Sequence, residues 1–272
     1  MHDLLKDSTA LFEHILRINY TSNRFEEIFT NKPSDLKNST AVLLLLGLRK
    51  EMERPCLILN KRSRSVRQAG DLCCPGGSLS HRLDSYIASI LPWPGFPLAR
   101  WPYWSRCHSS YPQEAKQMSL LFATCLRECF EEMRLNPFGV RFLGPLPSQD
   151  LYMARRVMYP MIGWISCQKR FFPNWEVERV IYVPLEDLLN PDYYARMRLD
   201  IDPKLVSEMT MLSEDYPCFV HIDQNETEIL WGATYRVVTI FLELAFNFQP
   251  PDLLSLPLVH KKLDKGYFAG LL

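Results

Sequence analysis

The amino-acid sequence predicts an α+β fold, an α/β/α sandwich built around a mixed β-sheet. Short apolar runs of strand length alternate with segments in which apolar residues recur at helical spacing. Charged or turn-forming residues separate several of the runs, as in hairpins. The chain has 272 residues, of which 47% are hydrophobic and 23% charged, so it can bury the core of one large domain.

The first elements are a helical cap and a hairpin. Residues 1–38 space their apolar side chains as a helix does, until Pro33 and its polar neighbours break the pattern. Two apolar runs, residues 40–48 and 55–60, follow on either side of a charged connection, which is typical of a β-hairpin. They open the main domain, which we place at residues 39–248.

Residues 85–112 combine frequent proline with three tryptophans. Proline at this density excludes a long helix or a central strand, and the aromatic content is unlike that of a disordered linker. We therefore predict an ordered insertion that packs on the main body. Its tryptophans, Trp93, Trp101 and Trp104, either pack the insertion or stack on an adenine as part of a lid.

A helix is predicted at residues 113–135, and further strands and helices follow it. Beyond residue 249 a pair of prolines ends the last helix, and we predict an extended tail through residue 272. The strands between these points are predicted at residues 140–143, 157–166, 177–183 and 218–222, and the helices at 184–189 and 234–248.

Charge and hydropathy exclude several classes of protein. The formal net charge is zero, which gives no support for binding nucleic acid or an anionic membrane surface. No segment approaches the roughly 20 apolar residues of a membrane span, and residues 1–7 have no secretion signal. The eight cysteines form no C-x-x-C pair, so we expect reduced thiols in the cytoplasm. A homodimer is compatible with the sequence.

Acidic residues cluster in the segment Arg127-Glu128-Cys129-Phe130-Glu131-Glu132. Its three glutamates stand at positions i, i+3 and i+4, which fall on one face of a helix. Carboxylates held this close repel each other until solvent, a proton or a cation relieves the repulsion. The pattern is therefore typical either of a solvated acidic face or of a site for Mg²⁺ or Mn²⁺, which prefer oxygen ligands.

The segment Pro75-Gly76-Gly77 follows an apolar strand, and its glycines allow the backbone to approach a metal or a phosphate closely. Together with residues 127–132 it resembles the Nudix box, G-x5-E-x7-R-E-U-x-E-E-x-G-U, in which U is bulky and apolar. Other stretches are similar to motifs of the coenzyme A diphosphatase branch of the Nudix superfamily, and the set covers about residues 40–245. These stretches are Lys61-Arg62-Ser63, Val66-Arg67, Gly70-Asp71, residues 176–189 and residues 229–234.

This resemblance implies a Nudix fold and metal-dependent hydrolysis of a pyrophosphate bond. It implies that Glu128, Glu131 and Glu132, with the carbonyl of Gly76, bind Mg²⁺ or Mn²⁺, and that Arg127 orients the carboxylates. The general base is expected to be Glu128, with Glu176 as the weaker alternative, and the residues expected to contact the substrate are Arg62, Arg67, Gly76 and Gly77.

The substrate implied by the resemblance is a small nucleotide. Coenzyme A or an acyl-coenzyme A would yield adenosine 3′,5′-bisphosphate and a 4′-phosphopantetheine product. Another nucleotide diphosphate, such as an ADP-sugar, a dinucleotide or a nucleoside triphosphate, is the alternative within the same class. A non-catalytic domain that binds a nucleotide is the alternative outside it.

Three departures from the box pattern affect its loop. Gly77 and Arg127 lie 50 positions apart, where the pattern has 14, because the insertion falls between them. The lone box glutamate is missing, and either Asp84 or Glu114 replaces it as the acidic partner of Arg127. The glycine that follows the box helix is Arg134 here, so we predict that Asn136 takes the left-handed conformation that ends the helix.

Overall fold

The computed structural model describes residues 2–22, 28, 36, 39–49, 54–151, 156–168, 170–201, 215–263 and 266–267. The helices are α1 His2–Lys6, α2 Ser8–Ser22, α3 His81–Ile90, α4 Trp104–Ser110, α5 Pro112–Met133, α6 Leu185–Leu188 and α7 Gly232–Phe246. The strands are β1 Ser39–Arg49, β2 Arg54–Arg62, β3 Leu72–Cys73, β4 Gly76–Ser78, β5 Val140–Pro145, β6 Gln149–Leu151, β7 Arg156–Ile165, β8 Val177–Pro184, β9 Tyr194–Ile201, β10 Tyr216–Asp223, β11 Glu226–Trp231 and β12 Leu258–Leu263.

The larger sheet is built around β1. This strand pairs antiparallel with β2 and β4 and parallel with β7, so the sheet is mixed, as the sequence predicts. Strands β3 and β8 extend it beyond β2, and β5 and β6 lie against β7. Residues 41–46 of β1 are all buried, and because alternate side chains point to opposite faces, both faces must be covered. This confirms the layered α+β architecture.

Helix α5 covers the site-bearing part of this sheet. It packs on β1 and β4, and α3 and α4 of the insertion pack on α5. Leu98 and Trp101 are buried in the main core, and Leu91 beside them is 3% exposed. Residues 85–112 thus contribute side chains to the main core, and their prolines fall in the turns between short helices or, at Pro112, in the first turn of α5.

The strands that follow β8 form a second, smaller sheet. Its described strands follow the order β11, β10, β9, β12, with β12 parallel to β9. The segment predicted as an extended tail thus forms a strand, and it shares a small core in which Met197, Cys218 and Leu263 are buried. Helix α7 links this sheet to α2. No helix within the described ranges has the length and apolar character of a membrane span.

The predicted cap and hairpin are present where they are described. Helix α2 buries Leu11, Phe12 and Ile15 against the main core. Strands β1 and β2 pair as the hairpin, and the predicted connection at residues 50–53 lies outside the described residues.

The prediction for the end of the box helix is wrong. Helix α5 ends at Met133, and Arg134 itself takes the left-handed conformation with φ 56°. Asn136 is extended at φ −73°, and its side chain accepts a hydrogen bond from the Phe138 amide to start a short 3₁₀ turn. The helix is therefore capped at the position of the box glycine, by a residue that pays a conformational cost there.

Candidate active site

Glu132 lies deepest in the candidate site. It sits near the end of α5, where its Oε2 accepts a hydrogen bond from Asn60 Nδ2 at 2.9 Å and one from the Gly76 amide at 3.3 Å. Asn60 is near the end of β2 and Gly76 opens β4. Two neighbours of the central strand thus hold a carboxylate that α5 delivers to the sheet.

The carboxylates of Glu132 and Glu128 share a poorly solvated corner. Burial raises the pKa of Glu132 to about 8, and the charge of Glu128 adds to the rise, while the Gly76 amide and Arg62 oppose it. Burial also raises the pKa of Glu128, and Arg127 opposes that shift. Both groups resist carrying negative charge without a proton or a cation.

Two glycines make room for this corner. A Cβ atom on Gly77 would lie 2.4 Å from Glu128 Oε1. Gly76 has φ 149°, and a Cβ atom there would lie 2.3 Å from the carbonyl oxygen of Ala41. A side chain at either position would displace the backbone or the carboxylate, which explains the need for two glycines at the turn.

Arg127 is held in one orientation by several acceptors. Its Nε donates to Asp84 Oδ1 at 2.6 Å, and its Nη2 donates to the Ser78 carbonyl at 2.9 Å. The same side chain forms ion pairs with Glu128 at 3.0 Å and with Glu131 at 3.2 Å. The guanidinium therefore connects the α5 carboxylates to Asp84 at the start of α3 and to the backbone of β4.

Asp84 is the acidic partner of Arg127, so the open alternative of Glu114 is resolved by geometry. The Asp84 side chain is completely buried in the first turn of α3, and it also accepts hydrogen bonds from Thr124 Oγ1 and the Ser80 amide. Glu114 lies in the first turn of α5, about 20 Å along the helix axis from Arg127.

A divalent cation that prefers oxygen fits this donor set. The two partly buried carboxylates have raised pKa values, and Asn60 Oδ1 is buried beside Glu132 with no hydrogen-bond partner among the described residues. Across the described ranges, no three His, Cys, Asp or Glu side chains form a preassembled metal-binding group. The half-exposed side chain of Glu131 pairs with Arg127.

The other predicted site residues are placed unevenly. Arg62 is close enough to lower the pKa of Glu132, and its Nε donates to the carbonyl of Arg67 at 2.8 Å. The Arg67 side chain is exposed on the loop. Glu176 lies near enough for its charge to raise the pKa of Glu132, and its carbonyl accepts from the Ser63 amide at 2.9 Å.

Asn60 is not among the site residues predicted from the sequence, and Asp71 is predicted only as part of the Gly70-Asp71 motif. Asn60 is 1% exposed and ends an apolar strand, where it looks like an ordinary polar boundary. Asp71 lies at the centre of a buried cluster, which we call the Asp71 knot. It accepts hydrogen bonds from Trp231 Nε1 at 3.0 Å, from Tyr267 OH at 2.7 Å and from Lys261 Nζ.

Of the three tryptophans considered for stacking, two pack within the fold. Trp101 is 3% exposed and contacts the ring of Phe142, and Trp104 packs against the main core. Trp93 is exposed, and its backbone hydrogen bonds join it to Ile90 and Phe96 within the insertion. Packing is therefore the role of Trp101 and Trp104.

One curated protein resembles the chain over most of its length. Uncharacterized Nudix hydrolase NudL of Pectobacterium atrosepticum is 26% identical over 186 residues, which are 68% of this chain and 72% of the relative. This match supports a place for the chain in the Nudix hydrolase superfamily. No protein-family model matches the chain.

Solved structures of Nudix proteins are similar at a lower level. A MutT/nudix family protein from Enterococcus faecalis aligns at TM-score 0.40 and 12% identity, covering 86% of this chain and 72% of its own. The NUDIX domain of Shewanella oneidensis NrtR, complexed with ADP ribose, aligns at TM-score 0.34 and 18% identity, covering 60% and 84%. TM-scores of this size are too low to add to what the sequence match supports.

Proposed function

We propose that this protein is a metal-dependent Nudix pyrophosphohydrolase that cleaves a pyrophosphate bond in a nucleoside-diphosphate-linked substrate. One observation carries the proposal. The carboxylates of Glu128 and Glu132 are buried together against the glycine turn of Gly76 and Gly77, and both have raised pKa values. The curated Nudix relative supports the same class of enzyme.

The metal site is assigned to Glu128, Glu131 and Glu132 with the carbonyl of Gly76. Oxygen donors of this kind favour Mg²⁺ or Mn²⁺ over zinc. A bound divalent ion would compensate the negative charge of the diphosphate and make a bound water more acidic. Arg127, fixed by Asp84, forms ion pairs with Glu128 and Glu131, and Glu131 would have to leave Arg127 to reach the metal.

Glu128 is the first candidate for the general base that accepts a proton from the attacking water. Burial raises its pKa above that of an ordinary glutamate, which makes it a stronger base. Glu176 is the weaker candidate, supported by its electrostatic proximity to Glu132. Arg62, Arg67 and the amides of the glycine turn are assigned to the substrate phosphates, because guanidinium groups and backbone amides both suit phosphate oxygens.

Coenzyme A or an acyl-coenzyme A is the substrate we favour. The support is the set of motifs between residues 61 and 234, of which Asp71 and Trp231 meet in the Asp71 knot. An ADP-sugar, a dinucleotide or a nucleoside triphosphate is the alternative in the same class. All eight cysteines are free thiols, which supports a cytoplasmic location.

A non-catalytic nucleotide-binding domain is the second candidate. It is favoured by the pairing of Glu131 with Arg127 and by the absence, among the described residues, of a preassembled metal-binding group. This candidate predicts nucleotide binding without turnover.

A substrate panel tests the proposal. The full-length protein is incubated with Mg²⁺ or Mn²⁺ and with coenzyme A, NADH, ADP-ribose, diadenosine polyphosphates and nucleoside triphosphates. We expect turnover of at least one, which Glu132→Gln lowers by orders of magnitude and which a chelator abolishes. Glu114→Gln is the matched control, because it alters a carboxylate on the same helix about 27 Å away, and it should retain activity. Binding without turnover of any compound would favour the second candidate.

A further inference from the structure

Trp175 combines high exposure of its side chain with a backbone that is hydrogen-bonded to the loop of Ser63. Its side chain is 66% exposed, and within the described residues its ring pairs with no other aromatic ring or cation. Its carbonyl nevertheless accepts a hydrogen bond from Ser63 Oγ at 2.7 Å. Covering a large exposed apolar ring with a flat partner removes its surface from water and so lowers the free energy.

The turn of Trp175 is attached directly to the candidate site. The amide of the preceding residue, Asn174, donates to the carbonyl of Glu132 at 2.8 Å. The following residue, Glu176, is close enough for its charge to raise the pKa of Glu132. Both residues beside Trp175 in sequence are therefore linked to the deepest carboxylate of the site.

The basic stretch Lys61-Arg62-Ser63 lies beside the turn that carries Trp175. Ser63 bonds to the carbonyls of both Trp175 and Glu176. Its neighbour Arg62 is near enough to Glu132 to lower the pKa of that carboxyl. A diphosphate bound by Arg62, and by a metal ion on the α5 carboxylates, would therefore lie close to the turn that carries Trp175.

We propose that Trp175 is a substrate-binding residue whose indole stacks on the nucleobase of the diphosphate substrate. The inference rests on the proposed function, since it assigns a place to one part of that substrate. A nucleobase is flat and presents a π face, which is the shape and chemistry that an exposed indole binds best. A flexible apolar chain would gain area on the indole without gaining stacking geometry.

Binding of a non-hydrolysable ligand tests this without turnover. The ligand is α,β-methylene-ADP with Mg²⁺, measured by calorimetry on the full chain, and methylenediphosphonate is the ligand that lacks a base. Base stacking on an aromatic side chain is worth about 1–3 kcal/mol, so Trp175→Ala should weaken binding of the nucleotide by about 5- to 150-fold. Trp175→Phe should retain most of the affinity, and binding of methylenediphosphonate should not change.

Tyr86→Ala is the matched control, because Tyr86 is an aromatic side chain with 68% exposure on α3. It should bind both ligands as the wild type does. An equal loss for the two ligands in Trp175→Ala, no loss for either, or failure of the wild type to bind α,β-methylene-ADP would overturn the inference.

The outcome is separable from that of the substrate panel. Turnover by the wild type with unchanged nucleotide affinity in Trp175→Ala rejects the stacking role and leaves the proposed function intact. Binding that depends on Trp175 without turnover of any substrate rejects the enzyme and retains the stacking role.

Discussion

Replacement of Glu132 by glutamine should change how the stability of the metal-free protein depends on pH. Burial raises the pKa of Glu132 from its ordinary 4.5 to about 8 in the folded protein. Between these values the folded chain keeps a proton that the unfolded chain releases, so stability falls as pH rises. The slope approaches about 1.4 kcal/mol per pH unit, and the loss accumulated between pH 4.5 and pH 7 is about 3 kcal/mol.

Glutamine has nearly the same shape and does not titrate, so Glu132→Gln should lack this loss. Urea unfolding in the presence of a chelator at pH 5, 6, 7 and 8 measures the free energy of unfolding of each protein. The free energy of unfolding of Glu132→Gln should increase relative to that of the wild type as pH rises toward 8, and the difference should level off above that. Glu114→Gln should follow the wild type. Parallel curves for Glu132→Gln and the wild type would refute the reasoning that Glu132 is buried and protonated in the metal-free fold.

Three further substitutions test other parts of the site. Gly77→Ala places a Cβ atom 2.4 Å from the carboxylate of Glu128, so turnover should fall at least about tenfold while the thermal midpoint changes little. Unchanged kinetics would contradict the assigned position of Glu128. Asp84→Asn removes the buried charge that faces Arg127, and urea unfolding should show a loss of about 3 kcal/mol; a loss below about 1 kcal/mol would show that Ser78 and the α5 glutamates suffice. Arg134→Gly relieves a left-handed backbone at φ 56°, and urea unfolding should show a free energy of unfolding higher by up to about 1 kcal/mol. A lower free energy of unfolding would mean that the contact of Arg134 with the Phe130 ring is worth more than the relief.

The sequence predicts the elements whose pattern is local. The hairpin of β1 and β2 and the glutamate-bearing helix are legible because their apolar periodicity is strong, and the glutamates share a face by spacing alone. Strand β9 was not predicted, although apolar residues at positions 195, 197, 199 and 201 alternate there with charged residues at 196, 198 and 200. The strand lies between β10 and β12 and pairs with both, so its place in the sheet depends on segments that are distant in sequence.

The carboxylates of the site can be predicted from the sequence, whereas the residues that hold them are harder to predict. Asn60 becomes important only because α5 crosses β2 at Glu132, which is a tertiary relation. Asp84 could be named as a candidate but not chosen over Glu114, because the choice depends on where α3 of the insertion packs. The cap at Arg134 was predicted wrongly because asparagine is the commoner non-glycine residue in the left-handed region, and the hydrogen bonds of the helix end override that preference.

The Asp71 knot has a consequence for the order in which the protein is assembled. The loop that carries Arg62 and Arg67 is closed at Asp71 by side chains that lie 160, 190 and 196 positions later in the chain. A chain made from its N terminus forms the hairpin of β1 and β2 early, from neighbours in sequence. The loop of Arg62 and Arg67 must wait until Lys261 and Tyr267 have left the ribosome, so the candidate site is completed only after most of the domain has folded.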